Sequence, residues 1–395
     1  MSKERLTFLG MHYPDEAIPE LLEDTIGNLE FAGDTFQKAV IKGLSNHYSV
    51  RAVSAMLIGS FPRRFKTPSL KKYKKYSTEE LKIIPFFNLT FYKKISIYYH
   101  LKRYLNNLDF SENEKIIVYS SDVSLLKAAV SIKKKHPNVH IHLIITDINE
   151  FMSPGKIATI INKFDQYIIK NLFYAINSFT VMTKYMITKL GISKPCAIVE
   201  GINSTIPMEY EYKKSDNKFV ILYTGTLEKR YGILHLINAF VLLPQTINFE
   251  LWICGNGDAK QVVEEYTKKD PRIVYYGLVP RVKVLELQSK ANLLINPRFS
   301  TDEYTLYSFP SKTIEYLLSG TPVIMHHLPG IPKEYDSYIY YADDETDQGF
   351  ANSILEVAKK PFDELIEQGK LAREFILNEK NCYKQAEKII EVMNE

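Results

Sequence analysis

Three strand-like runs in the second half of the sequence, 219–223, 249–254 and 272–276, lead into glycines, Gly225, Gly255 and Gly277. In parallel α/β sheets, ligands collect at the carboxyl ends of strands. A glycine there lets a ligand approach the backbone, and the N-terminus of a following helix offers free N–H groups to an anion. Lys229 and Arg230 fall in the first of these loops, where together they could neutralise a diphosphate without a metal. One such loop alone reads as a tight turn with solvated cations; three in order favour a nucleotide site. The Gly225 to Gly232 spacing is not a P-loop, because no Gly-Lys-Ser/Thr follows, and Gly255-Asn-Gly lacks the third glycine of a dinucleotide fingerprint.

The segment SFPSKTIEYLLSGTPVI, residues 308–324, carries the most specific signal. Pro310 sets the chain ahead of a helix starting near Ser311, whose free N–H groups could hold phosphate with Lys312 adjacent. Glu315, one turn in, could accept both ribose hydroxyls through its two carboxylate oxygens. Taken by itself it could equally be an N-terminal glutamate stabilising its helix dipole.

These residues need a scaffold, and the sequence describes one. Strand-like runs alternate with helical ones throughout residues 219–325, which implies right-handed βαβ units and a parallel sheet. The first half is less regular but also α/β, with strands expected at 6–9, 115–119, 140–145 and 178–182 and helices from Ala32 and Lys184. At 395 residues, the chain is too long for one ordinary core and suits two domains. Their boundary is expected at 201–207, before a charged stretch.

Apolar residues make up 45% and charged residues 24%, with a net charge of +4, which excludes a disordered chain and a polycation. Cys196, Cys254 and Cys382 are far apart and show no zinc-type spacing, so reduced thiols in a cytoplasmic protein are expected. The N-terminus lacks an apolar signal core. The longest apolar stretch, 83–99, is interrupted by Asn88, Lys93 and Lys94 and does not read as a membrane span.

The runs YTGTLEKRYGILHLINAF, LWICGNGD, YYGLVP and SFPSKTIEYLLSGTPVI resemble, in order and spacing, those of GT-B glycosyltransferases. They look like family 4 of the retaining group, especially bacterial capsule and exopolysaccharide enzymes. The resemblance is strong over roughly residues 219–335 and looser before that. It implies two facing Rossmann-like domains with parallel sheets and a cleft between them: an acceptor domain over 1–204, a nucleotide-sugar donor domain over 205–375, and a C-terminal helix within 376–395 crossing back to the first domain.

It also implies roles. Gly225 and Thr226 would line the pyrophosphate, and Lys229 or Arg230 would neutralise it. Gly255, Asn256, Leu278 and Val279 would border the base. Ser311, Lys312 and Thr313 would sit by the sugar and phosphates, with Glu315 on the ribose. Glu303 could reach the donor sugar. Asp147 would be the acceptor-side polar residue, although a turn-capping aspartate is an equal reading. Gly10 and Gly33 would face the cleft, Gly33 at a helix N-terminus near the donor phosphates; His12 nearby reads as incidental. Three positions depart from the family pattern: Tyr307 replaces its usual Glu, Thr226 its usual Arg, and Tyr231 its usual Lys.

Between residues 61 and 105, twelve cations are interleaved with aromatics, against only Glu79 and Glu80. Cations gain about 1 kcal/mol each near anionic lipid, and aromatics anchor at the interface. A peripheral docking surface at the inner face of the cell membrane is expected, suited to a lipid-diphosphate-linked acceptor; a solvated helical hairpin is the plainer alternative. No nucleic-acid-binding signature accompanies the charge. The sequence thus predicts a transferase moving a sugar from a nucleoside diphosphate, a UDP-sugar first among them, to a glycan or lipid-linked glycan hydroxyl, with no metal or other cofactor. The alternatives are a catalytically weak binding partner and a sugar-nucleotide epimerase on the same fold.

Overall fold

The structure, a computed structural model, describes residues 3–111, 114–148, 156–204 and 218–395. Residues 149–152, beyond the strand end carrying Asp147, and 205–217, at the expected domain boundary, lie outside the described residues. The chain divides into two compact units, one comprising Met1–Ser204 with Asn381–Glu395 and the other Thr205–Lys380.

The first unit is built on seven parallel strands: β1 (Arg5–Gly10), β2 (Ser49–Ser54), β3 (Leu81–Ile83), β4 (Lys115–Tyr119), β5 (His140–Ile145), β6 (Ser178–Val181) and β7 (Cys196–Ile198). Their order is β3-β2-β1-β4-β5-β6-β7, and Leu6 lies opposite both Val50 and Lys115. The inner strands β4 and β5 are apolar and buried almost throughout, as a sheet covered on both faces requires. Helices α1 (Ile18–Asp24), α2 (Phe31–Leu44), α3 (Lys93–Leu105), α4 (Val123–Lys133), α5 (Lys156–Leu172) and α6 (Lys184–Leu190) connect them. Gly191, left-handed at φ 67°, ends α6.

The second unit holds six parallel strands: β8 (Phe219–Thr224), β9 (Phe249–Cys254), β10 (Ile273–Gly277), β11 (Leu293–Asn296), β12 (Val323–Met325) and β13 (Tyr340–Tyr341), ordered β10-β9-β8-β11-β12-β13. Between them run α7 (Ile233–Val241), α8 (Lys260–Lys269), α9 (Arg281–Lys290) and α10 (Ser311–Ser319), and after β13 come α11 (Asp347–Ala358) and α12 (Phe362–Glu379). The core packs Leu251, Ile253 and Leu293 of the sheet against Leu236 and Phe240 of α7 and Phe350 of α11.

The final helix, α13 (Cys382–Asn394), belongs to the first unit. Its Cys382, Ala386, Ile389 and Met393 pack with Phe36, Val40 and Leu44 of α2. Gly43 allows the approach: a side chain there would collide with the Cys382 carbonyl.

The basic segment is not a helical hairpin. It forms a 3-10 stretch (Lys71–Tyr76), the edge strand β3 and α3. Residues 83–99 run from the end of β3 into α3, and no helix among the described residues is long and apolar enough to cross a membrane.

Candidate functional site

All strands of the second sheet are parallel, so their carboxyl ends share one edge, and the glycine loops lie there stacked on one another. The Gly225 N–H donates to Cys254 O at 3.0 Å, and the Gly255 N–H to Gly277 O at 2.8 Å, so both amides are used within the protein. Gly255 sits at φ 141° with the Gly225 carbonyl where a side chain would be, and Gly257 leaves room for the Leu227 backbone. Leu227 N–H donates to Asn256 O at 3.0 Å, and Lys229 N–H to the Asp258 carboxylate at 3.0 Å. These two glycines therefore serve loop-on-loop packing. Thr226, Asn256 and Lys229 remain exposed on the resulting platform, with Asn256 Oδ1 taking Gly257 N–H at 3.0 Å. Arg230 is turned to Glu228 (Nε to Oε2, 2.6 Å) and to the Tyr231 hydroxyl (3.0 Å). Gly277, at φ 69°, borders open space, beside half-buried Val279 and beside Leu278, whose side chain is 74% exposed.

Helix α10 begins at Ser311 as expected. Pro310 at its N-cap supplies no side-chain cap. Thr313 N–H turns back to Pro310 O at 2.8 Å, and the buried Thr313 hydroxyl has no partner among the described residues. Glu315 Oε1 accepts from Lys312 Nζ at 2.7 Å and from Gln288 Nε2 at 2.8 Å. Burial works to raise the Glu315 carboxyl, but the charge of Lys312, these two hydrogen bonds and the nearby Arg281 outweigh it and hold it below the usual carboxylate range. Tyr316, fully buried, accepts from Thr224 N–H at 2.8 Å and donates to Thr224 O at 3.0 Å, tying α10 to the end of β8. The donor-side residues expected from the sequence thus share one edge of the second unit. Glu303 lies exposed on a 3-10 turn (Glu303–Leu306), and Tyr307 follows it.

In the first unit, Gly10 ends β1, and a side chain there would strike Gln37 Oε1, which accepts the Met11 N–H at 2.7 Å. The Gly33 N–H is not open to a ligand: Glu30 caps α2, taking Ala32 N–H at 3.0 Å and Gly33 N–H at 3.2 Å. Asp147 follows β5, accepting the Thr146 hydroxyl at 3.1 Å, and its carboxyl is pushed up by desolvation and by the charge of Glu30. It borders a cavity of about 200 Å³ lined also by Ser121, Gln166, Ile169 and Phe173. Ser120, at the adjoining end of β4, is the one non-glycine described residue at positive φ (68°). His12 is buried, and desolvation lowers it to about 4.

Sequence reasoning missed two residues of the donor-side edge. Gln288 arrives from α9 and is completely buried; a polar residue on the inner face of VKVLELQSKA is its sole signal. Arg298 follows β11, with its guanidinium 4.1 Å from the Tyr231 ring centroid.

Comparison with known proteins gives this arrangement a context. Residues 218–360 match the family model Glycosyl transferases group 1. An uncharacterized glycosyltransferase of Methanocaldococcus jannaschii is 27% identical over 190 residues, covering 43% of this chain and 46% of that protein, less than half the relative's length. Among solved structures, sucrose-phosphate synthase from Thermosynechococcus elongatus superposes with a TM-score of 0.67 at 12% identity over 99% of this chain and 98% of that one. Anabaena HepE in complex with UDP gives 0.64 at 12% identity over 99% of both chains. The match to the group 1 glycosyl transferases lies in the second unit, and the two α/β units have the GT-B fold.

Proposed function

We propose that this chain, with its group 1 match as the premise, is a glycosyltransferase of bacterial polysaccharide assembly. It moves a sugar from a nucleoside diphosphate, a UDP-sugar first among the candidates, to a hydroxyl of a glycan or lipid-linked glycan. Anomeric configuration is retained, and no metal or other cofactor is required. The observation carrying this reading is the uncapped start of α10, with Lys312 beside it and the Glu315 carboxylate fixed one turn in. Thr226 lines the diphosphate, Ser311 and Thr313 meet donor oxygens through the helix start, Glu315 takes the ribose hydroxyls, and Leu278 and Val279 flank the base. In the transfer step the bond from the anomeric carbon to the diphosphate oxygen breaks with its electron pair. The acceptor oxygen bonds to that carbon on the same face, and the acceptor proton passes to the departing phosphate. Fixed N–H groups and cations stabilise the charge that develops on the diphosphate. Asp147 hydrogen-bonds the acceptor.

The test is mass-spectrometric product analysis with UDP-, ADP-, GDP- and TDP-sugars, with and without lipid-diphosphate acceptors, in buffer containing EDTA. Transfer that persists in EDTA is expected. Tyr307, in place of the usual glutamate, favours a second reading, a non-catalytic partner; nucleotide binding without turnover of any donor would select it. Conversion of the free donor without acceptor would select an epimerase.

The acceptor reading extends to the membrane. Phe91, just ahead of α3, and Ile95 and Tyr99 within it are 87%, 59% and 58% exposed. Part of the basic run is neutralised internally: Lys72 pairs with Asp24 at 2.6 Å, Lys75 with Glu20 at 2.9 Å, and Lys94 with Asp165. Arg63, Lys71, Lys74 and Arg103 make no ion pair among the described residues, which suits an anionic lipid surface. Flotation with phosphatidylglycerol vesicles, lost in a Phe91→Ser/Ile95→Ser/Tyr99→Ser variant, is the expected result; flotation by the variant equal to wild type counts against it.

A further inference from the structure

The order of the second sheet reverses between β8 and β11. Crossovers leave a parallel sheet on opposite faces at such a point, and a crevice opens at the carboxyl ends of the two strands. The chain leaves β8 through Gly225 and Thr226, and β11 through Pro297 and Arg298. Gly232 brings the two exits together. It adopts φ 79°, and a side chain on it would collide with the Pro297 carbonyl, so Tyr231 and Arg298 become neighbours. The guanidinium carbon sits 4.1 Å from the Tyr231 ring centroid, a cation–π contact. A guanidinium held over an aromatic face can still present N–H donors along its edge, the fork that grips phosphate.

The other cations of this edge are differently disposed: Lys229 is exposed on the first loop, and Arg230 meets the Tyr231 ring at a longer 4.9 Å. Arg230 is paired with Glu228 at 2.6 Å, and Lys312 with Glu315 at 2.7 Å. Arg298 is half-buried and forms no ion pair among the described residues. Its charge is nonetheless felt by the Tyr223 and Tyr304 hydroxyls. A guanidinium partly withdrawn from water and left without an anion is unfavourable unless a ligand supplies one.

We propose that Arg298, and not Arg230, is the side chain that receives the diphosphate of the donor, an assignment that rests on the nucleotide-sugar reading above. The ligand class is a nucleoside diphosphate, read at its phosphates. Tyr231 and Gly232 are positioning residues that hold the guanidinium over the crevice.

The experiment is calorimetric titration of the full chain with UDP and with uridine, for wild type and for Arg298→Met, Arg298→Lys and Arg230→Met, with thermal midpoints recorded to verify folding. Where wild type prefers another base, the matching ADP, GDP or TDP and its nucleoside replace this pair. Arg298→Met is expected to weaken diphosphate binding at least about tenfold, the scale of one charge-assisted hydrogen bond, and to leave nucleoside binding unchanged. Arg298→Lys should recover part of the loss, and Arg230→Met should stay near wild type. Diphosphate binding by Arg298→Met equal to wild type overturns the proposal, as does an equal loss for diphosphate and nucleoside. A wild type that prefers no nucleoside diphosphate over its nucleoside defeats the underlying reading, a result distinguishable from either of these.

Discussion

Glu315 receives both of its hydrogen bonds on one oxygen, from Lys312 and Gln288. Replacing it with alanine removes a charged acceptor worth about 1.5–3 kcal/mol, so donor affinity or turnover should fall roughly ten- to hundredfold in a steady-state assay. Gln288→Leu should give part of that loss, and a Gln288→Leu/Glu315→Ala double variant should show less than the sum, because the pair share one bond. The two carboxylates proposed for the reaction also separate by pH. Glu315 is held low, so it stays ionised, and donor affinity should persist, below the usual carboxylate range. Asp147 is held high, so it takes up its proton earlier as pH falls. Acid should therefore depress the acceptor's kcat/KM before it depresses donor binding; the reverse order in a pH profile would remove Asp147 from its role. Glu315 and Lys312 were legible because Pro310 announces the helix start and their spacing is local. Gln288 and Arg298 were not, because they reach the same edge from other crossovers.

At the scale of elements, the glycines show what local reading can and cannot supply. Their placement after strands was readable, since a loop must turn there. The physical reason differed at Gly255 and Gly257, where the neighbouring loop and not a ligand occupies the missing side chain's place. At Gly33 the helix start that looked open is closed by Glu30. Gly232→Ala should be costly twice over, from its positive φ and from the Pro297 carbonyl. A destabilisation of about 1–3 kcal/mol is expected in urea unfolding, with nucleotide affinity falling as residues 297–298 are displaced. The strands β2, β3, β7 and the two-residue β13 escaped the sequence reading. β2 carries Arg51 amid its apolar residues, and β3 and β7 are three residues long at the two edges of the sheet, too short for periodicity to register.

Over the whole molecule, the alternation of strands and helices was enough to foretell the parallel sheet of the second half, because short loops and right-handed crossovers leave few other arrangements, whereas in the less regular first half a parallel sheet followed from the resemblance. Acid stability is a property at this scale. Desolvation lowers His12, His140 and His326 to about 4, and His142 to about 3. Between the ordinary histidine value of 6.5 and those values, the unfolded chain binds protons that the folded chain does not. These groups therefore cost nothing above about pH 6.5, and stability should drain away as pH falls toward 4. Thermal midpoints should decline steeply across that window; a flat profile would show that the buried imidazoles accept protons without penalty.

The first unit is assembled from two stretches of chain separated by the whole of the second. On the ribosome, α2 is made early and α13 only after the second unit, so the apolar side of α2 near Gly43 waits uncovered while residues 45 to 381, about 340 of them, emerge. During that interval the second unit can complete its own core, whereas the first must be kept from sticking to its neighbours. Deleting residues 381–395 would make the interval permanent, and such a chain should accumulate with chaperones or in inclusion bodies even though the entire second unit is intact.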